Sequence, residues 1–85
     1  MKKIQYNQNK NVISRQLRAN RAKAGISQGE LAARLQLMNV NIDQQMISKI
    51  ENNTRMVTDY ELACLCKVLK VEVQEMLSDF YHDLE

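Results

Sequence analysis

Apolar residues recur along this chain at helical intervals and almost nowhere in strand-like alternation. Ile13 and Leu17 lie four apart in a segment from Asn11 to Ala24 whose other side carries Arg15, Arg18, Arg21 and Lys23. Gly25 then ends it, as Gly ends many helices. Ile26 leads into Ser27-Gln28-Gly29-Glu30, a capping box in which serine hydroxyl and glutamate carboxylate each accept the other residue's backbone N–H. Leu31, Ala32 and Leu35 form the apolar stripe of that second helix, and the small Ala32 lets another helix cross closely. A third, short helix is predicted over about Asp43 to Asn52, with Ile47 and Ile50 on one side and Glu51 beside them. Arg55, Met56 and Val57 bridge to a second capping box, Thr58-Asp59-Tyr60-Glu61, followed by the inward stripe Leu62, Leu65, Cys66, Leu69. After a corner at Lys70-Val71-Glu72, the residues Val73, Leu77, Phe80 and Leu84 recur at four, three and four, which predicts one last helix. The chain has 85 residues, no Pro and two Gly, so a single all-α domain is expected.

The outer side of the third helix differs from the others. Gln44, Gln45, Ser48, Lys49 and Asn52 form a row of hydrogen-bonding side chains with one cation and no acidic residue. Such a row suits base edges in a major groove, where Gln pairs with adenine and Lys reaches guanine. A solvated polar face gives the same pattern in an isolated helix, so charge matters. The net charge is only +2, yet residues 1–55 hold ten Lys and Arg against three Asp and Glu, a balance of +7. Residues 56–85 hold two against seven, a balance of −5. A polyanion facing the first half is the expectation.

SQGELAARLQL followed by ISKIENN, with the capping box, the small alanine and the flanking helices in order, resembles the Cro/C1-type helix-turn-helix (lambda repressor-like, XRE family) of phage and bacterial repressors. The resemblance covers about Val12 to Leu77. It implies a compact five-helix fold that binds double-stranded DNA sequence-specifically, with the second helix of the motif in the major groove. It also implies a transcriptional regulator, most simply a repressor; a homodimer is expected from the seam of the last helix. The domain boundaries that follow are an N-terminal arm at 1–10, the helix-turn-helix domain at 11–77 and an extension of the last helix at 78–85.

The resemblance also carries roles over to individual residues. Gln28 matches the residue that binds a backbone phosphate and braces the first glutamine of the reading helix. Gln44 and Gln45 become the leading base readers and Lys49 the third, with Ser48 and Asn52 near bases or phosphates. Arg18, Lys23, Arg34 and Arg55 become candidates for phosphate. Arg21 and Glu51 match an ion pair between the first helix and the reading helix; the alternative for Arg21 is one more phosphate contact. Two features depart from the family pattern. The connection QLMNVNI, between Leu35 and Asp43, is about five residues longer than the shortest family turns, with Asn39 where longer-turn relatives often place Gly. Asn53 replaces the Gly that usually ends the reading helix, and Asn tolerates the left-handed conformation better than most residues.

Relatives end near the position of Leu77, so Phe80, Tyr81 and Leu84 are additional apolar surface. A second protomer packed on Val73, Leu77, Phe80, Tyr81 and Leu84 would cover it, as would folding back on Ile13 and Leu17. Glu72, Glu75, Asp79 and Asp83 flank this seam and would repel a phosphate backbone. The segment Met1 to Asn9 reads as a loose polar arm or one irregular turn, in which Lys2 and Lys3 either touch phosphate or are simply solvated.

Other function classes find little support. No Ser/His/Asp set, paired carboxylates or phosphate-cradling Gly loop occurs, so an enzyme is not expected. Cys64 and Cys66 are two apart on one predicted helix, pointing in different directions, and the single His82 is far off; free thiols, no metal and no cofactor are expected. The five Met are read as gap fillers. No apolar run approaches a membrane span and no signal peptide is visible, so a cytoplasmic location is expected. The competing class is a protein-interaction module, an antitoxin or adaptor built on the same fold, with the apolar tail as its partner surface.

Overall fold

The structure, a computed structural model, describes residues 6–85. Lys2 and Lys3, raised above as phosphate contacts, lie outside the described residues. Helices account for all regular structure among the described residues apart from one isolated bridge at Tyr6 and Asn9. In chain order they are α1 (Ser14–Ala24), α2 (Gln28–Leu37), α3 (Gln44–Glu51), α4 (Asp59–Leu69), α5 (Val73–Met76) and α6 (Ser78–Asp83).

Each start and stop has a local cause. Ser27 Oγ accepts the Glu30 N–H at 3.0 Å, and the Glu30 carboxylate accepts the Ser27 N–H at 2.9 Å, so α2 opens on the expected box. Asp43 does the same for α3, its carboxylate taking the Met46 N–H at 2.9 Å. At the head of α4, Glu61 accepts the Thr58 N–H at 2.9 Å. Gly25 closes α1 at φ +73°. Asn39 and Asn53 both adopt the left-handed conformation, at φ +63° and +61°, where the sequence substitutes Asn for Gly.

The core is one cluster built around Leu17, Leu31, Leu35, Ile42, Ile47, Ile50, Leu65 and Met76, all fully buried. Val40 and Ile42 belong to it although they lie in the connection between α2 and α3. The long turn is therefore part of the core. Gln36 Nε2 bonds the Ile42 carbonyl at 3.2 Å and steadies it further. No buried polar side-chain atom among the described residues lacks a hydrogen bond.

Three expectations need correction. First, α1 begins at Ser14, three residues later than the pattern predicts. The Asn11 side chain is occupied elsewhere, and its Oδ1 accepts the Ile13 N–H at 3.0 Å without starting a helix. Second, the last helix is two short helices with a corner at Leu77, giving six helical segments in place of five. Met76 fills the core from this region, while Val73 and Leu84 are exposed and Leu77 and Phe80 half-buried. The corner returns α6 to α1, where Asp79 accepts from Arg15 Nε at 2.8 Å and from Gln16 at 3.1 Å. Third, of the two readings of the first nine residues, the loose arm gives way to the turn from Tyr6 onward. Tyr6 and Asn9 exchange backbone hydrogen bonds around Asn7 and Gln8, both at positive φ, which is a tight two-residue turn. Tyr6 meets Phe80 edge to face at 5.1 Å between ring centres, so Phe80 packs on this turn and not on Ile13 or Leu17.

Two carboxylates tie stability to acid. Burial alone pushes the Glu61 carboxyl up, but hydrogen bonds from Arg55 and from the Thr58 N–H outweigh it and hold it below the usual range. Asp79 is held down chiefly by the hydrogen bond from Arg15. A depressed carboxyl stabilises the fold above its unfolded pKa and loses that contribution as pH falls through the folded value. Melting temperature should thus be flat down to about pH 5 and fall below it, within the range where unfolded carboxylates titrate. Glu61→Gln should flatten part of that fall while lowering stability at pH 7. Identical acid limbs for the variant and the wild type would contradict the assignment.

Candidate nucleic-acid interface

The short α3 is set by its inner side. Ile47 and Ile50 are fully buried, and Glu51 is buried with them. Arg21 on α1 grips Glu51 from two directions, Nε to Oε2 at 2.6 Å and Nη2 to Oε1 at 3.0 Å. Gln28 at the start of α2 donates to the same Oε1 at 3.1 Å. The third guanidinium nitrogen of Arg21 bonds the Ile26 carbonyl at 3.0 Å. One carboxylate therefore fixes three helices against one another. The Glu51 side chain is 2% exposed and that of Arg21 18%, so water screens the pair little.

With the inner side fixed, the outer row is fixed too. Gln44, Gln45, Lys49 and Asn52 are exposed and Ser48 half-buried, all on the side of α3 away from the core. Gln44, the first helical residue, lies over Gly29: a Cβ at position 29 would meet its Oε1 at 3.4 Å. That is an ordinary contact distance, so α2 and the Gln44 side chain pass close together at this point. Arg18 flanks the far end of α3, donating to the Glu51 carbonyl at 3.0 Å and to Asn52 Oδ1 at 3.2 Å, with its side chain more than half exposed.

The remaining residues named from the sequence divide. Gln28 touches Glu51, at the junction of the three helices. Arg34 is exposed on α2, one turn beyond Glu30, whose carboxyl is held low mainly by the Ser27 backbone and in small part by Arg34. Lys23 lies beside Leu69, Lys70, Val71 and Glu75, a recess at the C-terminal ends of α1 and α4, and is not brought together with α3. Arg55 has a different partner from the phosphate expected for it. Its Nη1 and Nη2 meet the two Glu61 oxygens at 3.0 and 3.1 Å, and Nη1 also bonds the Met56 carbonyl. Glu61 is buried, so a guanidinium must face it. The sequence reading found Glu61 as a helix cap but not its ion pair, because a spacing of six across a loop carries no periodic signal.

It also missed a polar clamp. Asn53 Oδ1 accepts the N–H groups of Lys10 and Asn11 at 2.8 and 3.1 Å, and its Nδ2 donates to Asn9 Oδ1 at 2.6 Å. Asn11 Nδ2 donates in turn to the carbonyls of Ile50 and Arg55, at 3.0 and 2.9 Å. The Asn-rich composition of residues 7–11 was the only available signal.

Two helices joined by a turn that sets Val40 and Ile42 into the core, the second offering a row of amides and a lysine to the outside, make a helix-turn-helix DNA-binding unit. A family model described as helix-turn-helix matches residues 17–76, most of the chain. The protein belongs to the Cro/C1-type helix-turn-helix family, and is a DNA-binding protein of the transcription-regulator type. Comparison with curated proteins gives no match. Among the described residues no helix is long and apolar enough to cross a membrane.

Proposed function

We propose that the protein is a transcriptional repressor that binds a palindromic operator as a homodimer, with α3 of each protomer in successive major grooves. The observation that carries this reading is the outer row of α3, held rigid from behind by a buried carboxylate and free of exposed acid from Gln44 to Asn52. Gln44 and Gln45 read base edges, Lys49 is the third reader, and Ser48 and Asn52 make secondary contacts. Arg18 and Arg34 serve the phosphates more readily than Lys23, which lies on another side of α1, or Arg55, which Glu61 holds. Repression by occupancy needs only tight binding at a promoter, whereas activation needs a further surface for polymerase.

Val73, Tyr81 and Leu84, exposed on α5 and α6, supply the dimer surface. Phe80 and Leu77 belong to the protomer's own packing and contribute less. The same exposed trio supports a second reading, in which a different protein docks there and the fold serves as an adaptor. Selection of bound sites from random duplexes tests the first reading: a palindrome with half-sites about 34 Å apart is expected. Sedimentation should show a dimer at tens of micromolar that Leu84→Glu dissociates. A wild type that stays monomeric with and without its selected site rules the dimer out. No selected sequence at all would leave the adaptor reading in its place.

A further inference from the structure

Asn53 follows α3 directly, at φ +61°. That conformation disfavours a side chain, and Gly would occupy it at no steric cost. The side chain present instead makes three hydrogen bonds to residues more than forty positions earlier. Together with Asn11, which holds the Ile50 carbonyl, it fastens the Tyr6–Asn11 segment to the C-terminal end of the reading helix. The segment is itself stiff, closed by the Tyr6–Asn9 turn and backed by Phe80. Such a clamp is more than closure of a helix requires.

The clamp fixes the position of one cation. Lys10 bonds Asn53 only through its backbone N–H, and its side chain is exposed. Its backbone is thereby held beside Asn53, the residue that follows the C-terminal end of α3, in a recess it shares with Met56, Val57 and Thr58. Glu51, two residues before Asn53, is buried and paired, and the exposed Asp59 that shares the Lys10 recess accepts the Tyr60 N–H at the head of α4. An extended lysine reaches roughly 6 Å from its α-carbon, enough to meet a phosphate flanking the groove that holds α3.

We propose that Asn53 is a positioning residue that locks the Tyr6–Asn11 turn to the end of the reading helix, and that Lys10, carried by that turn, contacts a DNA phosphate. The turn is thus a part of the DNA-binding face that moves with α3. The proposal rests on the reading of α3 as the groove-bound helix.

The test is a cycle of Lys10→Gln, Asn53→Gly and the double variant, each bound to a selected duplex over a salt series. Asn53→Gly keeps the backbone conformation and deletes only the clamp. Lys10→Gln leaves the backbone hydrogen bond in place, so both variants should retain the helical circular dichroism of the wild type. Losing one phosphate contact lowers the slope of log K against log salt by about one. Lys10→Gln should show that drop, Asn53→Gly most of it, and the double variant no more than Lys10→Gln alone. A slope unchanged in Lys10→Gln overturns the contact. Drops that add in the double variant overturn the role of Asn53, because the two residues would then act independently. A wild type that binds no duplex at any salt overturns the reading of α3 itself, which separates that failure from this one.

Discussion

Replacing Glu51 with Ala should lower the stability of the domain by about 3–5 kcal/mol, the usual consequence of stranding one member of a buried ion pair. The stranded group is the Arg21 guanidinium, which would keep the Ile26 carbonyl but lose both carboxylate contacts. Gln28 would lose its acceptor at the same time. A domain of this size has roughly 4–13 kcal/mol of total stability, so the variant should sit near its folding limit. Urea titration should show the midpoint collapse with little change in slope, and melting should fall by roughly 15 °C or more. Arg21→Met combined with Glu51→Leu should recover part of the loss, since no buried charge remains uncompensated. A loss under about 1 kcal/mol for Glu51→Ala would put the pair with solvated surface bridges.

The second large effect concerns readout. Gln44→Ala and Gln45→Ala should each lose about 1–3 kcal/mol on the selected site and little on random duplex, as expected of residues that pair with base edges. Both side chains are exposed and neither supports the core, so their removal should leave the melting temperature nearly unchanged. Gln44 lies over Gly29 on α2, so of the two it is the one whose side chain a larger residue at 29 would touch. Equal losses on selected and random duplex would reduce the glutamines to backbone contacts.

The Arg21–Glu51 pair, 30 positions apart, was legible only through the family resemblance; the parts legible from the residues themselves have signals short in range. Capping boxes at Ser27 and Thr58 sit three residues from their glutamates, and the stripes of α2 and α4 recur within a turn or two. Asn39 and Asn53 stand where a helix-turn-helix needs left-handed backbone, and both adopt it. What escaped is long in range. The Arg15–Asp79 bridge spans 64 positions and the Asn53 clamp 42 to 44. No periodicity announces such contacts. The corner at Leu77 was hidden for a related reason. Spacings of four, three and four survive a bend, and neither Gly nor Pro marks it, so one helix and two look alike on paper. The Glu61 partner of Arg55 is hidden because a cation in a basic half reads as a phosphate ligand, and a spacing of six across a loop has no period.

The connection between α2 and α3 has a practical consequence. With Val40 and Ile42 set into the core on one side and Asn53 bolted to the amino-terminal turn on the other, the segment between Asp43 and Asn52 is a cassette with fixed joints. Side chains 44, 45 and 49, all exposed, can be exchanged without disturbing the seams, whereas Asn52 is tied to Arg18 and Ser48 is half-buried. Shortening the connection to the commoner family length would extract two core plugs. The outer face of α3 is thereby separable from the frame that holds it.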